Sequence, residues 1–418
     1  MKKMTLTSKI LISLIGGIIV GLLLFPLKNI PFVEHYIIGF FLKLGGSVFI
    51  KSIKMLVVPL VFISLTVGSS AIGDTKKLGR IGIKTLSFYL FTTAVAITIA
   101  LVLANIIDPG NGLVIENISK TNTVVSDSKS FVDVLIDIVP SNPISAMAKG
   151  NMLQIIFFAL LTGMGLTILG DKVNKIKDLF EQSNDLILEL VNLIMQFAPI
   201  GVFCLIATTF STLGYQAMIP LFKYIGTTLL ALLIHVLITY QGLLYLMAKI
   251  NPIVFIKKFI PAISVAFSTS SSGATIPVNL EILREKFGVS KSTSSFTIPL
   301  GASINMDGTS IMQGVAVVFI ATAYGIQLNM GDYMMVILTA TLASIGTAGV
   351  PGAGPIMLSM VLTQVGLPIE GIALIMGVDR IIDMNRTAVN ITGDAVCTLI
   401  IAKTEGEDIG GEVKAELI

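Results

Sequence analysis

Between Lys84 and Asp108 the chain reads TLSFYLFTTAVAITIALVLANII, without one charged side chain. A segment of that length crosses the hydrocarbon of a bilayer as one helix, which needs about 20 apolar residues. Comparable runs recur near residues 9–25, 36–70, 151–170, 180–211, 219–248, 293–325 and 369–402. Of the 418 residues, 54% are hydrophobic and 13% charged, against about 25% charged in an ordinary soluble domain. The expectation is an all-α polytopic membrane protein of eight transmembrane helices. The first run is read as a retained span, because no small-x-small cleavage site with a polar segment follows it.

Several functions are closed off. A net charge of +3, with no basic stripe interleaved with aromatics, argues against a nucleic-acid partner. No G-x-x-x-x-G-K-[ST] occurs, so uphill transport has to draw on an ion gradient or a partner rather than on ATP hydrolysed by this chain. Cys204 and Cys397 lie far apart in apolar runs and read as buried thiols. His35 and His235 have no cysteine or carboxylate at ligand spacing. Neither is expected in a metal site or near the functional region, and no resident cofactor is expected.

Charge alternation sets the topology. Lys and Arg concentrate before the first span (Lys2, Lys3, Lys9), after the second (Lys76, Lys77, Arg80, Lys84), after the fourth (Lys172, Lys175, Lys177) and after the sixth (Lys249, Lys257, Lys258). The joints STLGYQAMIP and GIQLNMGDY have none. Basic joints face the cytoplasm, which puts both termini inside, provided that 254–287 and 332–366 each enter and leave on one side. These two segments, broken at their centres by Ser, Gly and Pro, are therefore expected to be re-entrant helical hairpins rather than short spans. Hairpin-plus-span then occurs twice with opposite topology, the inverted repeat by which many secondary transporters build a midplane site.

Four stretches carry the chemistry. DRIIDMNRTAVNITGD (379–394) places Asp379, Asp383, Arg386, Asn390 and Asp394, with Thr387 and Arg380 at the margin, on one arc about 120° wide at about 100° per residue. A charge facing lipid at the bilayer centre costs about 2.5–3.5 kcal/mol even on the lenient insertion scale, so this stripe has to face protein, water or ions. Asp383 and Arg386 can pair at i,i+3; helix-joining ion pairs are the structural alternative. TSSSGATIP (269–277) offers a half-helix N-terminus suited to a carboxylate. SINMDGTS (303–310) interrupts the seventh run and supplies hard oxygens from Asn305, Asp307 and freed carbonyls, which favours Na⁺ over transition metals. SIGTAGVPGAG (344–354) reads as a mobile gate. With Asp307, Asp379, Asp383 and Asp394 against Arg380 and Arg386, the region carries two net negative charges. Arg386 is suited to clamp a carboxylate, and sodium ions together with an acidic amino acid satisfy both demands.

Taken together, SSSGATIP, NMDGT, GTAGVPGAG and DMNRTAVNITGD resemble the dicarboxylate/amino acid:cation symporter family. KMLVVPLVF and DIVPSNP extend the resemblance over essentially the whole chain. It implies a homotrimer in the membrane lipid, an elevator mechanism, and usually three sodium ions carried with each substrate in sodium-driven members. By the resemblance, scaffold comprises 1–83 and 108–218, and a moving transport domain comprises 84–107 and 219–418. Substrate contacts would come from Ser270, Ser271, Ser272, Thr309, Gly349, Arg380, Asp383, Arg386, Thr387 and Asn390, with Arg386 on the side-chain carboxylate and Asp383 on the amino group. One sodium would use Asn390, Asp394 and carbonyls of Gly301 and Asn305. A second would use Tyr89, Thr92, Thr93, Asn305 and Asp307. A third would lie among backbone oxygens of Ser303, Ser344, Ile345 and Thr347.

Departures bear on preference. Ser270 stands where archaeal members carry an arginine, and Arg380 could reach the same space. Gly273 replaces a frequent serine, and Asn385 lies off the charged stripe. Proton-driven bacterial relatives tend to have Asn where this chain has Asp394, so the acid favours Na⁺. The expected function is sodium-coupled import of L-aspartate or L-glutamate at the inner membrane; a proton-coupled glutamate or C4-dicarboxylate symporter of the same fold is the alternative. A channel would need a continuous polar pore. A hydrolase using a serine of 270–272 would lack a base, and no enzymatic activity is expected.

Overall fold

The computed structural model describes residues 6–70, 76–113, 136, 138–344, 353–376 and 378–409. These are helical and connecting segments, with no strand among the described residues. The N-terminal half comprises α1 (Leu6–Leu24), a π-helical stretch (Val33–Leu42) continuing into α2 (Lys43–Ser70), α3 (Lys76–Ile107), α4 (Pro143–Lys149), α5 (Met152–Leu169), α6 (Asn174–Gln196) and α7 (Ala198–Leu213). Then follow α8 (Met218–Ile234), which runs on through π-helical turns to Ala248, α9 (Pro252–Thr269) and α10 (Ser272–Phe287). The last third comprises α11 (Lys291–Ile304), α12 (Asp307–Ala323), α13 (Met330–Ser344), α14 (Ala353–Gln364), α15 (Ile372–Met376) and α16 (Asp379–Thr404). Among the described residues six helical segments are long and apolar enough to cross a membrane, and further apolar helices such as Ala198–Leu213 and Met330–Ser344 are shorter.

Three apolar runs are interrupted, 293–325 where SINMDGTS predicts it and the other two where the sequence reads as continuous. The run 180–211 is two helices meeting at Phe197–Ala198, because Pro199 cannot donate to the preceding turn and its ring crowds it. The run 293–325 breaks at Asn305, whose backbone is extended (φ −83°, ψ 101°). The run 369–402 breaks before Asp379. The charged stripe therefore begins at the first residue of α16, with Asp379, Arg380, Asp383 and Arg386 in its first turns and Asp394 at mid-helix, and Asp379 sits where the helix dipole favours a carboxylate.

Packing divides the chain. The helices α1, α2, α5, α6 and α7 pack on one another, whereas α3 packs on α8, α12 and α13. The pair α9–α10 folds back on itself and lies against α16; α13 and α14 pack together in the same way. The turn between α9 and α10 is made by Ser270 in the left-handed region (φ 52°) and by Ser271, whose side chain caps the Ala274 N–H. The tip joining α13 to α14, residues 345–352, lies outside the described residues. In the Lys291–Ala323 segment 94% of the most apolar stretch is buried, against 39% or less for the other five long segments. The broken helix is thus shielded by protein, the condition under which interrupted backbone survives in a bilayer. Lys51 is exposed on α2, as snorkelling requires; the side chain of Lys54 lies outside the described residues.

Beyond α16 the chain turns through Gly406 (φ +83°), with Glu407 N–H bonded back to the Ala402 carbonyl at 3.0 Å. Glu405 pairs with Arg80, and with Lys84 Nζ at 2.7 Å, both on α3. Hydrogen bonds from these two cations pull the Glu405 carboxyl down to about 2. The folded carboxylate stays charged where an unfolded one, near 4.5, would protonate. The pairing therefore contributes fully above pH 4.5 and is lost as pH falls toward 2. Melting of wild type and Glu405→Gln across pH is expected to show a small Tm gap at neutral pH that narrows below about pH 4.5; a gap that widens on acidification contradicts this.

Candidate ion and substrate site

Two polar clusters meet where α3, the π-helical part of the sixth run, the α11–α12 break and α16 converge. The first surrounds Asp307, the first residue of α12. Its Oδ1 accepts from Thr93 Oγ1 at 2.5 Å; its Oδ2 accepts from the Tyr240 hydroxyl at 2.7 Å and lies 3.1 Å from His235 Nε2. All four residues are fully buried. The π-helical turn His235–Tyr240 carries both rings, and a second such turn follows at Leu244–Ala248; such bulges cluster at functional sites. His235 thus contradicts the expectation that neither histidine lies near the functional region. Its partner is 72 residues away in sequence, a separation that motif spacing cannot register.

The broken helix is completed by α16. Asn390 Oδ1 accepts the Gly308 N–H at 2.8 Å, the Asn390 carbonyl accepts from Asn305 Nδ2 at 2.8 Å, and Asn390 Nδ2 lies 3.2 Å from Met306 Sδ. Asn305 Nδ2 also donates to Asp394 Oδ1 at 2.9 Å. Two buried acceptors, Asp394 Oδ2 and Asn305 Oδ1, receive no hydrogen bond, and the Tyr89 hydroxyl has no oxygen or nitrogen partner. A Cβ on Gly301 would lie 2.5 Å from both Asp394 Oδ1 and the Tyr89 hydroxyl oxygen, so only glycine allows this approach. Buried oxygens without donors are costly, and a hard cation bound among them would offset that cost. Thr92 Oγ1 bonds back to the Tyr89 carbonyl at 3.2 Å.

The second cluster occupies the first turns of α16. Arg386 donates from Nε and Nη2 to Asp383 Oδ1, at 3.0 and 2.7 Å, and from Nη1 to Asp379 Oδ1 at 3.4 Å. Arg380 Nη1 donates to Asp383 Oδ2 at 3.1 Å. Two arginines and two aspartates compensate one another here. The two net negative charges expected for the region therefore belong to Asp307 and Asp394, in the oxygen cluster. The Arg386 guanidinium lies against Gly354, where any Cβ would overlap it. This placement of Gly354 is one that only the fold reveals.

The remaining expected residues fall as follows. Thr387 Oγ1 bonds back to the Asp383 carbonyl at 2.8 Å, and Thr309 Oγ1 lies 3.8 Å from Met306 Sδ. Ser270 and Ser272 are buried, with Ser270 Oγ unpartnered, on the turn packed toward α16. Ser303 and Ser344 hydroxyls each bond within their own helix. Ile345, Thr347 and Gly349 lie outside the described residues. Asn385 donates to the Ile381 carbonyl at 2.8 Å, which satisfies it locally. Cys204 and Cys397 are free, buried thiols.

A buried oxygen cluster beside a buried carboxylate–guanidinium set, held on interrupted helices in a multi-pass helical chain, defines a membrane transporter. The chain belongs to the sodium:dicarboxylate symporter family, whose profile matches residues 6–404; these are symporters, not enzymes. It is 37% identical to a proton/sodium-glutamate symport protein of Geobacillus stearothermophilus, over 97% of this chain and 96% of that one. It is also 37% identical to the proton/glutamate-aspartate symporter of Escherichia coli strain K12, over 96% and 93%. A C4-dicarboxylate transport protein of Bacillus subtilis strain 168 is 33% identical, over 96% and 94%.

Proposed function

We propose that this chain is a sodium-coupled symporter that imports L-aspartate or L-glutamate. The observation that carries the reading is the division of charge: a compensated Arg386–Asp383 set next to an oxygen cluster with two carboxylates and undonated buried oxygens. An acidic amino acid exchanges its carboxylate for Asp383 on Arg386 and its ammonium for arginine on Asp383. Each buried group keeps a charged partner through that exchange, which avoids the penalty of several kcal/mol for an unpaired buried ion. Sodium takes the oxygens of Asp394, Asn305, Asp307, Thr93 and Tyr89, offsetting two negative charges. Ser270, Ser271 and Ser272, with Thr309, Thr387, Asn390 and Gly349, complete the substrate shell; Ser303, Ser344, Ile345 and Thr347 hold a further ion.

The packing of α3 with the C-terminal helices supports a transport domain of 84–107 and 219–418 moving against a scaffold of 1–83 and 108–218. In this reading the chain has eight spans, two re-entrant hairpins and cytoplasmic termini, and works as an elevator in a homotrimer. Uptake of radiolabelled aspartate into proteoliposomes is expected to require an inward Na⁺ gradient; equal uptake with choline sinks the sodium claim. The names of the relatives make proton coupling the second reading, for which a pH gradient alone would drive uptake.

Gly354→Val is expected to push the guanidinium off Asp383 and Asp379. Aspartate affinity should fall roughly tenfold or more, each decade being about 1.4 kcal/mol. Unchanged affinity would remove Gly354 from the site.

A further inference from the structure

The segment just after α16 touches two other helices by opposite edges of one turn. Gly406 in the left-handed region, with the Glu407 N–H to Ala402 carbonyl bond at 3.0 Å and the Gly406 N–H to Lys403 carbonyl bond at 3.1 Å, makes a Schellman-type reversal. The turn sends Glu405 and Glu407 in different directions. Glu405 meets Arg80 and Lys84 on α3; Lys84 Nζ also reaches Thr404 Oγ1 at 3.3 Å. Glu407 meets the N-terminus of α11. Its Oε2 accepts the Ser290 N–H at 2.9 Å, and its Oε1 accepts from Ser290 Oγ at 2.6 Å and Thr293 Oγ1 at 2.5 Å. Ser290 is itself the N-cap of that helix, accepting from Thr293 N–H, so the carboxylate also meets the positive end of the dipole. Ile409, two residues on, is buried.

The three helices joined by this turn are those that build the oxygen cluster. Thr93 and Tyr89 lie on α3, Asn305 and Asp307 on the break that ends α11, and Asp394 on α16. At about 1.5 Å per residue the turn's contacts stand roughly 8–20 Å from those groups along α3, roughly 18–23 Å along α11 and roughly 16–20 Å along α16. The contacts it would govern are short and cross between helices: Thr93 to Asp307 at 2.5 Å, and Asn305 to Asp394 at 2.9 Å. Sites of this kind need their ligands held within about 0.5 Å, and packed helices carry a displacement from end to end as rigid elements.

We infer that Glu405 and Glu407 form a cytoplasmic clasp that fixes the register of α3, α11 and α16, and so act as positioning residues for cation binding. The inference rests on the reading of the oxygen cluster as the cation site. A mere helix cap would lower stability and affect both ligands alike; the clasp acts on the cation, whose ligands come from all three helices. The charged part of the substrate set, Asp379–Arg380–Asp383–Arg386, lies on α16 alone, so its mutual geometry does not depend on the register of α3 and α11, whereas every carboxylate–partner contact of the oxygen cluster crosses between helices.

The test is a pair of titrations on full-length wild type and Glu405→Gln/Glu407→Gln, with ionic strength held constant by choline. Na⁺ is titrated at a fixed aspartate concentration, then aspartate at saturating Na⁺. The Na⁺ concentration for half-saturation is expected to rise about three- to tenfold in the variant, while aspartate affinity at saturating Na⁺ changes less than twofold. Glu405→Asp/Glu407→Asp, which keeps the charges, is expected to recover part of the shift. An unchanged Na⁺ half-saturation, or an equal loss for both ligands, overturns the clasp. Should the double variant fail to fold, Thr293→Val and Arg80→Gln loosen one arm each from the partner side and are read by the same criterion. The wild-type titration checks the sodium reading itself, and the ratio of variant to wild type checks the clasp, so the two fail separately.

Discussion

Arg386→Ala is expected to lower aspartate affinity by about a hundredfold or more. Truncating one partner of a buried, hydrogen-bonded charge pair costs about 2–5 kcal/mol, much of it from the charge left behind. Arg386 is nearly inaccessible and donates to Asp383 twice and to Asp379 once. Its removal leaves Asp379 without its arginine partner at Nη1 and leaves Asp383 with Arg380. The carboxylate of a substrate then finds no guanidinium on the central face, whereas a neutral amino acid loses only packing. Arg386→Lys keeps the charge but not the planar fork, and falls between the two. Equilibrium binding of aspartate and of a neutral amino acid such as serine to both variants measures this. Aspartate binding at wild-type strength by the alanine variant would remove Arg386 from the substrate site.

Asp394→Asn is expected to raise the Na⁺ requirement roughly 10- to 100-fold, about 1.4–2.8 kcal/mol. The substitution is nearly isosteric. An amide oxygen can still accept from Asn305 Nδ2, as Asp394 Oδ1 does at 2.9 Å, so the fold keeps that bond. The amide NH₂ then occupies the position of Oδ2, the buried oxygen that accepts nothing from the protein, and presents donors where a cation needs an acceptor. One of the two net negative charges in the cluster is also lost. Na⁺ titration of aspartate binding in wild type and variant reads the shift, and an unaltered Na⁺ dependence would show that Asp394 does not hold the ion. The Asp307 carboxylate has a different environment: both its oxygens already accept hydrogen bonds, from Thr93 and from Tyr240.

Much of this arrangement was legible in the sequence because it depends on local pattern. The charged arc of 379–394, the Asn-x-Asp-Gly interruption at 305–308 and the serine turn at 270–272 are each written in consecutive residues. The i,i+3 pairing of Asp383 with Arg386 follows from helical spacing alone. What could not be read is what depends on convergence. His235 and Tyr240 reach Asp307 from a π-helical turn, which has no apolar period to betray it. Gly354 matters because a guanidinium from another helix lies over it, whereas its own neighbourhood reads only as a flexible glycine-rich tip. In the sequence the region's formal charges read as a single pool, whereas pairing within α16 leaves the formal deficit on Asp307 and Asp394. Reading 369–402 as one continuous span hid the break that puts Asp379 at a helix start, and Asn385 is satisfied by its own helix at Ile381.

The central claim is that one buried region binds a cation and an acidic amino acid together, each favouring the other. It is tested most directly by titrating aspartate into the purified protein at a series of Na⁺ concentrations, then Na⁺ at a series of aspartate concentrations. Linkage requires the two sets of affinities to shift by the same factor. The account predicts that aspartate affinity rises steeply with Na⁺, by tenfold or more across the series, with the reciprocal shift in Na⁺ affinity. An aspartate affinity that is the same at every Na⁺ concentration would contradict it.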